Sequence, residues 1–173
     1  MEYVSGGDLF DVITSHNKLS EEITRIYFGQ IVLGLEYLHA AGITHRDMKP
    51  ENILINELGK VKIADFGLGN FFKEGDKLRT ACGSPCYAPP EMLNQEPYDP
   101  KKVDFWSSGV ILFAMVHGYL PFEDEVQSVL YEKIKTKSVK ISSAVGIPCR
   151  NLIRGLLLKD PKERLSISAI KEH

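Results

Sequence analysis

Within HRDMKPENILI, residues 45–55, a carboxylate (Asp47), an ammonium two residues on (Lys49) and an amide five residues on (Asn52) share one loop. A second carboxylate, Asp65, opens the tripeptide DFG at 65–67. Between them lie two short β-prone runs, 53–55 and 60–64, joined by Asn56-Glu57-Leu58-Gly59, which reads as a hairpin turn. Antiparallel pairing of those runs brings their outer ends together, so Asn52 and Asp65 are expected side by side. Two carboxylates, an amide and an ammonium at one point make a poor structural cluster. They suit divalent magnesium and phosphate, because hard cations prefer oxygen ligands and magnesium takes only one or two of them from protein.

The elements that must position this loop can be read from caps and periodicity. Asp8 is a helix N-cap, followed by Leu9, Phe10, Val12 and Ile13 at helical spacing, while residues 1–4 read as an extended run and Ser5-Gly6-Gly7 as a turn. Ser20 before Glu21 and Glu22 starts a second helix, whose apolar stripe (Ile23, Ile26, Tyr27, Ile31, Leu35, Leu38) runs to about Ala40 with Gly42 as a stop. Asp99-Pro100 opens a third, apolar nearly all round over 103–116 and therefore expected to be the buried axis. Further helical patterns cover about 125–136, 147–158 and 166–172, whereas 65–101 shows no period and reads as a long irregular, functional segment. The expected fold class is mainly α with one small β-hairpin, without repeats or low-complexity stretches.

Bulk properties exclude several function classes. The 173 residues suit one domain, and a chain of this length buries roughly 70% of its unfolded surface. A hydrophobic content of 43%, a charged content of 25% and a net charge of -2 give no broad surface for nucleic acid or an anionic membrane. The longest strongly apolar stretch, 109–116, is too short to span a bilayer, and the first residues lack a basic region followed by an apolar run. Cys82, Cys86 and Cys149 read as free thiols in a reducing compartment rather than as half of a metal site, since no second pair at ligand spacing follows.

H-R-D-x-K-x-x-N at 45–52, DFG at 65–67 and A-P-P-E at 88–91, in that order and spacing, resemble the catalytic core of a protein kinase. The resemblance covers the whole chain and implies a hinge (1–7) and a C-terminal lobe (8–173), with a catalytic loop at 45–52 and an activation segment at 65–91. It implies ATP and Mg2+ as cofactors, Asp47 and Lys49 as catalytic residues, and Asn52 and Asp65 as metal and ATP-phosphate ligands. Met1 would be a gatekeeper; the backbone of Glu2 and Val4 would bind adenine, with Leu54, over Ile111 and Met115, as the floor. His45 and Phe66 would pack behind the site, Asp104 would hydrogen-bond the catalytic loop, and Glu91 would pair with Arg164.

LRTACGSPCYAPPEM and VDFWSSGVILFAMVHGYLPFED are similar to the calcium/calmodulin-dependent kinase group, nearest its AMP-activated-kinase-related branch. Lys49 with Ser84 matches the serine/threonine pattern. The resemblance makes Thr80 the activating phosphosite, with Arg46 as its bidentate partner, phosphorylated by an upstream kinase. Asp8 and Glu51 stand at acidic positions that read basic residues ahead of a target Ser or Thr, so the expected partners are protein substrates, with no nucleic acid and no membrane. The expected location is cytoplasmic, with nuclear access open. Pro89 in APPE and Asn70, where some kinases carry a second basic phosphate partner, depart from the pattern. So does the absence of a Gly-rich loop and a V-A-I-K lysine, which reads as a fragment cut at both ends. The alternative is a non-catalytic decoy or partner-binding module.

Overall fold

The computed structural model describes residues 4–173; the expectations for Met1 and Glu2 lie outside them. Each of the three caps read from sequence closes on its own helix. The Asp8 side chain accepts from the Asp11 amide to start α1 (Leu9–His16), Ser20 from Ile23 to start α2 (Glu21–Ala40), and Asp99 from Lys101 to start α4 (Pro100–His117). Pro100 stands at the first helical position of α4, and Gly118 at its end has a φ of 79°, the left-handed conformation that only glycine adopts without cost.

Helix α4 is the axis of the fold. Residues 103–116 are all buried, and Trp106, Val110, Ile111 and Met115 are fully so. Each such side chain contributes about 1.5–3 kcal/mol by leaving water. α4 packs against α2 and against α6 (Ile147–Leu156). Gly109 permits the second contact, because a Cβ there would sit 2.7 Å from Cβ of Leu156. α5 (Gln127–Thr136) and α7 (Ile167–Glu172) complete the long helical elements.

The hairpin pairs β2 (Ile53–Ile55) with β3 (Val61–Ile63), Ile53 opposite Ile63, as the alternation of apolar residues required. It lies against α1 and α2. Gln30 of α2 fixes it by donating to the Gly59 carbonyl (3.1 Å) and accepting from the Val61 amide (3.0 Å). The strand's pleat sends Ile53 and Ile55 into the core shared with Ile111 and Met115, and leaves Leu54 on the other face, partly exposed.

The stretch 65–101 corrects the expectation of one hairpin and a structureless loop. β4 (Asn70–Phe71) pairs antiparallel with β1 (Ile43–Thr44), making a second two-stranded sheet. α3 (Pro90–Leu93) and a single 3-10 turn at Pro85–Tyr87 follow, and Leu78 bridges to Tyr98. A two-residue strand with both side chains exposed carries no readable period, so long-range pairing orders it instead.

Candidate active site

The loop bearing Asp47 is shaped from below by Asp104, in the first turns of α4. Its Oδ2 accepts from the His45 amide (3.0 Å), the Thr44 hydroxyl (2.9 Å) and His39 Nε2 (2.8 Å); its Oδ1 accepts from the Arg46 amide (2.9 Å). Burial pushes the Asp104 carboxyl up, but the His39 bond, then the His39 charge and the two backbone amides, hold it below the usual value. These bonds fix Arg46 at a φ of 65°, a conformation costing an L-residue roughly 1–2 kcal/mol. The turn so formed leads directly into Asp47, which is buried.

Asp47 is nearly enclosed by partners. Oδ1 accepts from the Ser84 amide (2.9 Å) and hydroxyl (3.1 Å), while Lys49 Nζ lies 3.0 Å from Oδ2 and 3.1 Å from the Ser84 hydroxyl. Asn52 donates Nδ2 to the Asp47 carbonyl (2.8 Å), which leaves its own amide oxygen for another partner. Gly83, with a φ of 86°, lets the 83–84 segment approach; a Cβ there would lie 2.5 Å from the Arg46 carbonyl. Ser84 therefore touches both Asp47 and Lys49, a placement 37 residues away in sequence that the specificity reading of Ser84 did not anticipate.

The far end of the hairpin delivers Asp65. Pairing extends one step past β2, with the Ala64 amide donating to the Asn52 carbonyl (2.9 Å), so Asp65 follows directly beside Asn52's partner. Asp65 has a φ of 61°, is exposed, and accepts from the Gly67 amide through Oδ1 (3.1 Å). His45, buried, bonds the Ala64 carbonyl through Nε2 (2.8 Å), and its ring lies 5.0 Å from that of Phe66. Among the described residues no group of three His, Cys, Asp or Glu side chains could hold a metal alone. The oxygen donors of Asn52 and Asp65 fit magnesium, which completes its shell with phosphate and water.

The outer residues fall as follows. Glu91 and Arg164, buried, form a two-pronged ion pair at 2.7 and 3.1 Å. Thr80 is exposed, and the nearest described link to Arg46 runs through Tyr98, whose hydroxyl donates to the Thr80 carbonyl (2.8 Å). Asp8 has one oxygen committed to the α1 cap, whereas Glu51 is exposed. Val4 is partly buried at the edge of the described chain. His39, Thr44, Gly83 and Tyr98 were missed; all act across long sequence separations, for which one sequence carries no local signal.

The protein kinase domain family matches residues 1–173. This chain belongs to that family. It is 46% identical over 173 residues to the SNF1-related protein kinase catalytic subunit alpha KIN12 of Arabidopsis thaliana, covering all of this chain and 35% of that protein. It is 42% identical over 172 residues to protein kinase kin1 of Schizosaccharomyces pombe, covering 99% of this chain and 19% of that one. A probable serine/threonine-protein kinase of Dictyostelium discoideum is 43% identical over 173 residues, 21% of its length. The kinase chain thus spans about a third or less of these relatives. Two of these relatives are named as SNF1-related and serine/threonine kinases, and the helical body with its small antiparallel sheets is that of a kinase C-terminal lobe. Among the described residues no helix is long and apolar enough to cross a membrane.

Proposed function

We propose that this chain carries the phosphoryl-transfer site of a serine/threonine protein kinase acting on protein hydroxyls. The observation that carries the reading is Asp47, held in one orientation by Ser84 and the backbone while Lys49 and Asn52 converge on it. Asp47 orients the substrate hydroxyl and takes its proton as the new oxygen–phosphorus bond forms and the β–γ bridging bond breaks. Lys49 neutralises charge on the group in transit, and Ser84, bonded to both, holds the Asp47–Lys49 pair in place. Asn52 and Asp65 hold the metal, and Val4 and Leu54 border the adenine. Magnesium and ATP, when bound, supply the phosphoryl group and the countercharge. Positioned charge is most of what this reaction asks of a protein.

Thr80 is the activating site and Arg46 its partner; basic residues upstream of the target are read by Glu51 and Asp8. Three free thiols fit a cytoplasmic setting open to the nucleus. The test is transfer of labelled γ-phosphate to a Ser/Thr peptide by the protein expressed from its own gene. Asp47→Asn is expected to lower kcat by about 10² to 10³, the scale of losing one preorganised catalytic group. Transfer by Asp47→Asn at a rate near the parent's overturns the reading. Peptide binding without transfer in the parent protein would favour a non-catalytic module. Thr80→Ala is expected to abolish activation by an upstream kinase.

A further inference from the structure

Tyr98 does something the catalytic reading leaves unexplained. Its side chain is 1% exposed, in a place where phenylalanine would fill the same volume. A buried hydroxyl is costly unless bonded, so its oxygen is there for geometry. Backbone bonds in both directions tie Tyr98 to Leu78 (3.0 and 2.9 Å), two residues before Thr80. The hydroxyl then donates to the Thr80 carbonyl itself (2.8 Å). The same phenolic oxygen retains acceptor capacity; burial pushes the hydroxyl's pKa up, and the nearby Arg46 guanidinium offsets part of that rise.

Arg46 is meanwhile fixed at two other points. Its amide donates to Asp104 on α4 (2.9 Å), and Nε donates to the Leu68 carbonyl (2.7 Å), near the start of the activation segment. The guanidinium therefore stands between Leu68 and the Tyr98–Thr80 contact, with further N–H groups to offer. We propose that Tyr98 is a positioning residue for the regulatory phosphate: its hydroxyl sets the Thr80 peptide and the Arg46 guanidinium relative to one another, so that a phosphate on Thr80 meets an arginine already in place. The proposal rests on the reading of Thr80 as a phosphosite. Without the hydroxyl, Arg46 must be ordered by the phosphate alone, and part of the binding is lost to that ordering.

The experiment installs phosphothreonine at position 80 of this chain and follows its removal by a broad-specificity protein phosphatase. Charge-assisted bonds to Arg46 protect the phosphate, so Arg46→Ala is expected to speed removal roughly tenfold. Tyr98→Phe is expected to speed it severalfold, and Tyr98→Phe added to Arg46→Ala is expected to change nothing more. A merely structural role would accelerate removal equally in both backgrounds and overturns the proposal, as does a Tyr98→Phe rate equal to the parent's. If Arg46→Ala itself has no effect, the Arg46–phosphate reading fails and the proposal with it. Should Tyr98→Phe not fold, NMR of the phosphorylated parent decides. A slowly exchanging Tyr98 hydroxyl proton with contacts to Arg46 supports the proposal, and its absence overturns it.

Discussion

Glu91→Ala should be among the most damaging single changes in this chain, although Glu91 touches no catalytic group. Arg164 is fully buried and its guanidinium has all its partners inside the protein. Nη1 donates to Glu91 (2.7 Å) and the Lys102 carbonyl (2.7 Å); Nη2 donates to Glu91 (3.1 Å) and the Leu158 carbonyl (3.1 Å). Its Nε also donates to Leu158 (3.2 Å), and its plane lies over the Trp106 ring at 5.1 Å. Removing Glu91 leaves that cation uncompensated in a buried site, which costs about 3–5 kcal/mol. In a domain of this size each kcal/mol lowers Tm by roughly 2–4 °C, so a fall on the order of 10 °C is expected. The double variant Glu91→Leu, Arg164→Met removes both charges together and should recover much of the loss, because desolvation of the pair is also relieved. Thermal melting of the parent, Glu91→Leu, Arg164→Met and the double variant gives the coupling directly. A loss below about 1 kcal/mol for Glu91→Ala, or a double variant no more stable than the two single losses added, would refute the assignment of the pair as a buried link.

Three other outcomes are expected. Gly83→Ala should leave circular dichroism unchanged yet lower kcat by roughly 10²-fold. The new Cβ must push Arg46 and Ser84 apart, and Å-scale misplacement at a reacting centre has that effect; a normal kcat would count against the contact. Asp104→Asn should be destabilising in urea at neutral pH. Because the folded carboxyl lies below its ordinary value of 3.8, its contribution is present above that value and lost as pH falls through the lower folded one, so parent and variant should converge in strong acid. A difference that stays constant into acid would be inconsistent with an ionised Asp104. On a peptide array, Glu51→Gln should weaken preference for upstream Arg by up to about fivefold, and Asp8→Asn less, since Asp8 has an oxygen engaged at the α1 cap; equal effects would argue against the difference in their roles.

What could be read from sequence was local. The caps at Asp8, Ser20 and Asp99 bond within three residues, and the hairpin's turn and alternation both lie within eleven positions. Such features need only one stretch of chain to be complete. The four residues proposed for phosphoryl transfer were picked out by the hairpin between their halves, and then by the family's spacing. Ser84, His39 and Tyr98 were different: their decisive bonds reach 37, 65 and 18 residues away, and each has an ordinary reading as a loop hydroxyl, a helix-end histidine or a core aromatic. β4 escaped for the same reason, being two exposed residues whose order comes from β1.

The energetic logic of the site follows from where its strain is held. Arg46 and Asp65, one on each side of the hairpin, both adopt positive φ without being glycine. Such conformations persist only where surroundings over-determine them. For Arg46 the surroundings are four acceptor contacts on a single buried carboxylate, rooted in the most deeply packed helix of the chain. Loosening any one of them relaxes the turn and lets Asp47 move, whereas the helix itself has enough buried apolar surface to remain folded. Variants at His39 or Thr44 should therefore separate the two properties, losing catalytic order before losing structure. Hydrogen exchange at the His45 and Arg46 amides is the measurement that reads that order, since both amides donate to Asp104 and to nothing else described. Exchange unchanged in Thr44→Val would mean that the loop is held by something other than this carboxylate.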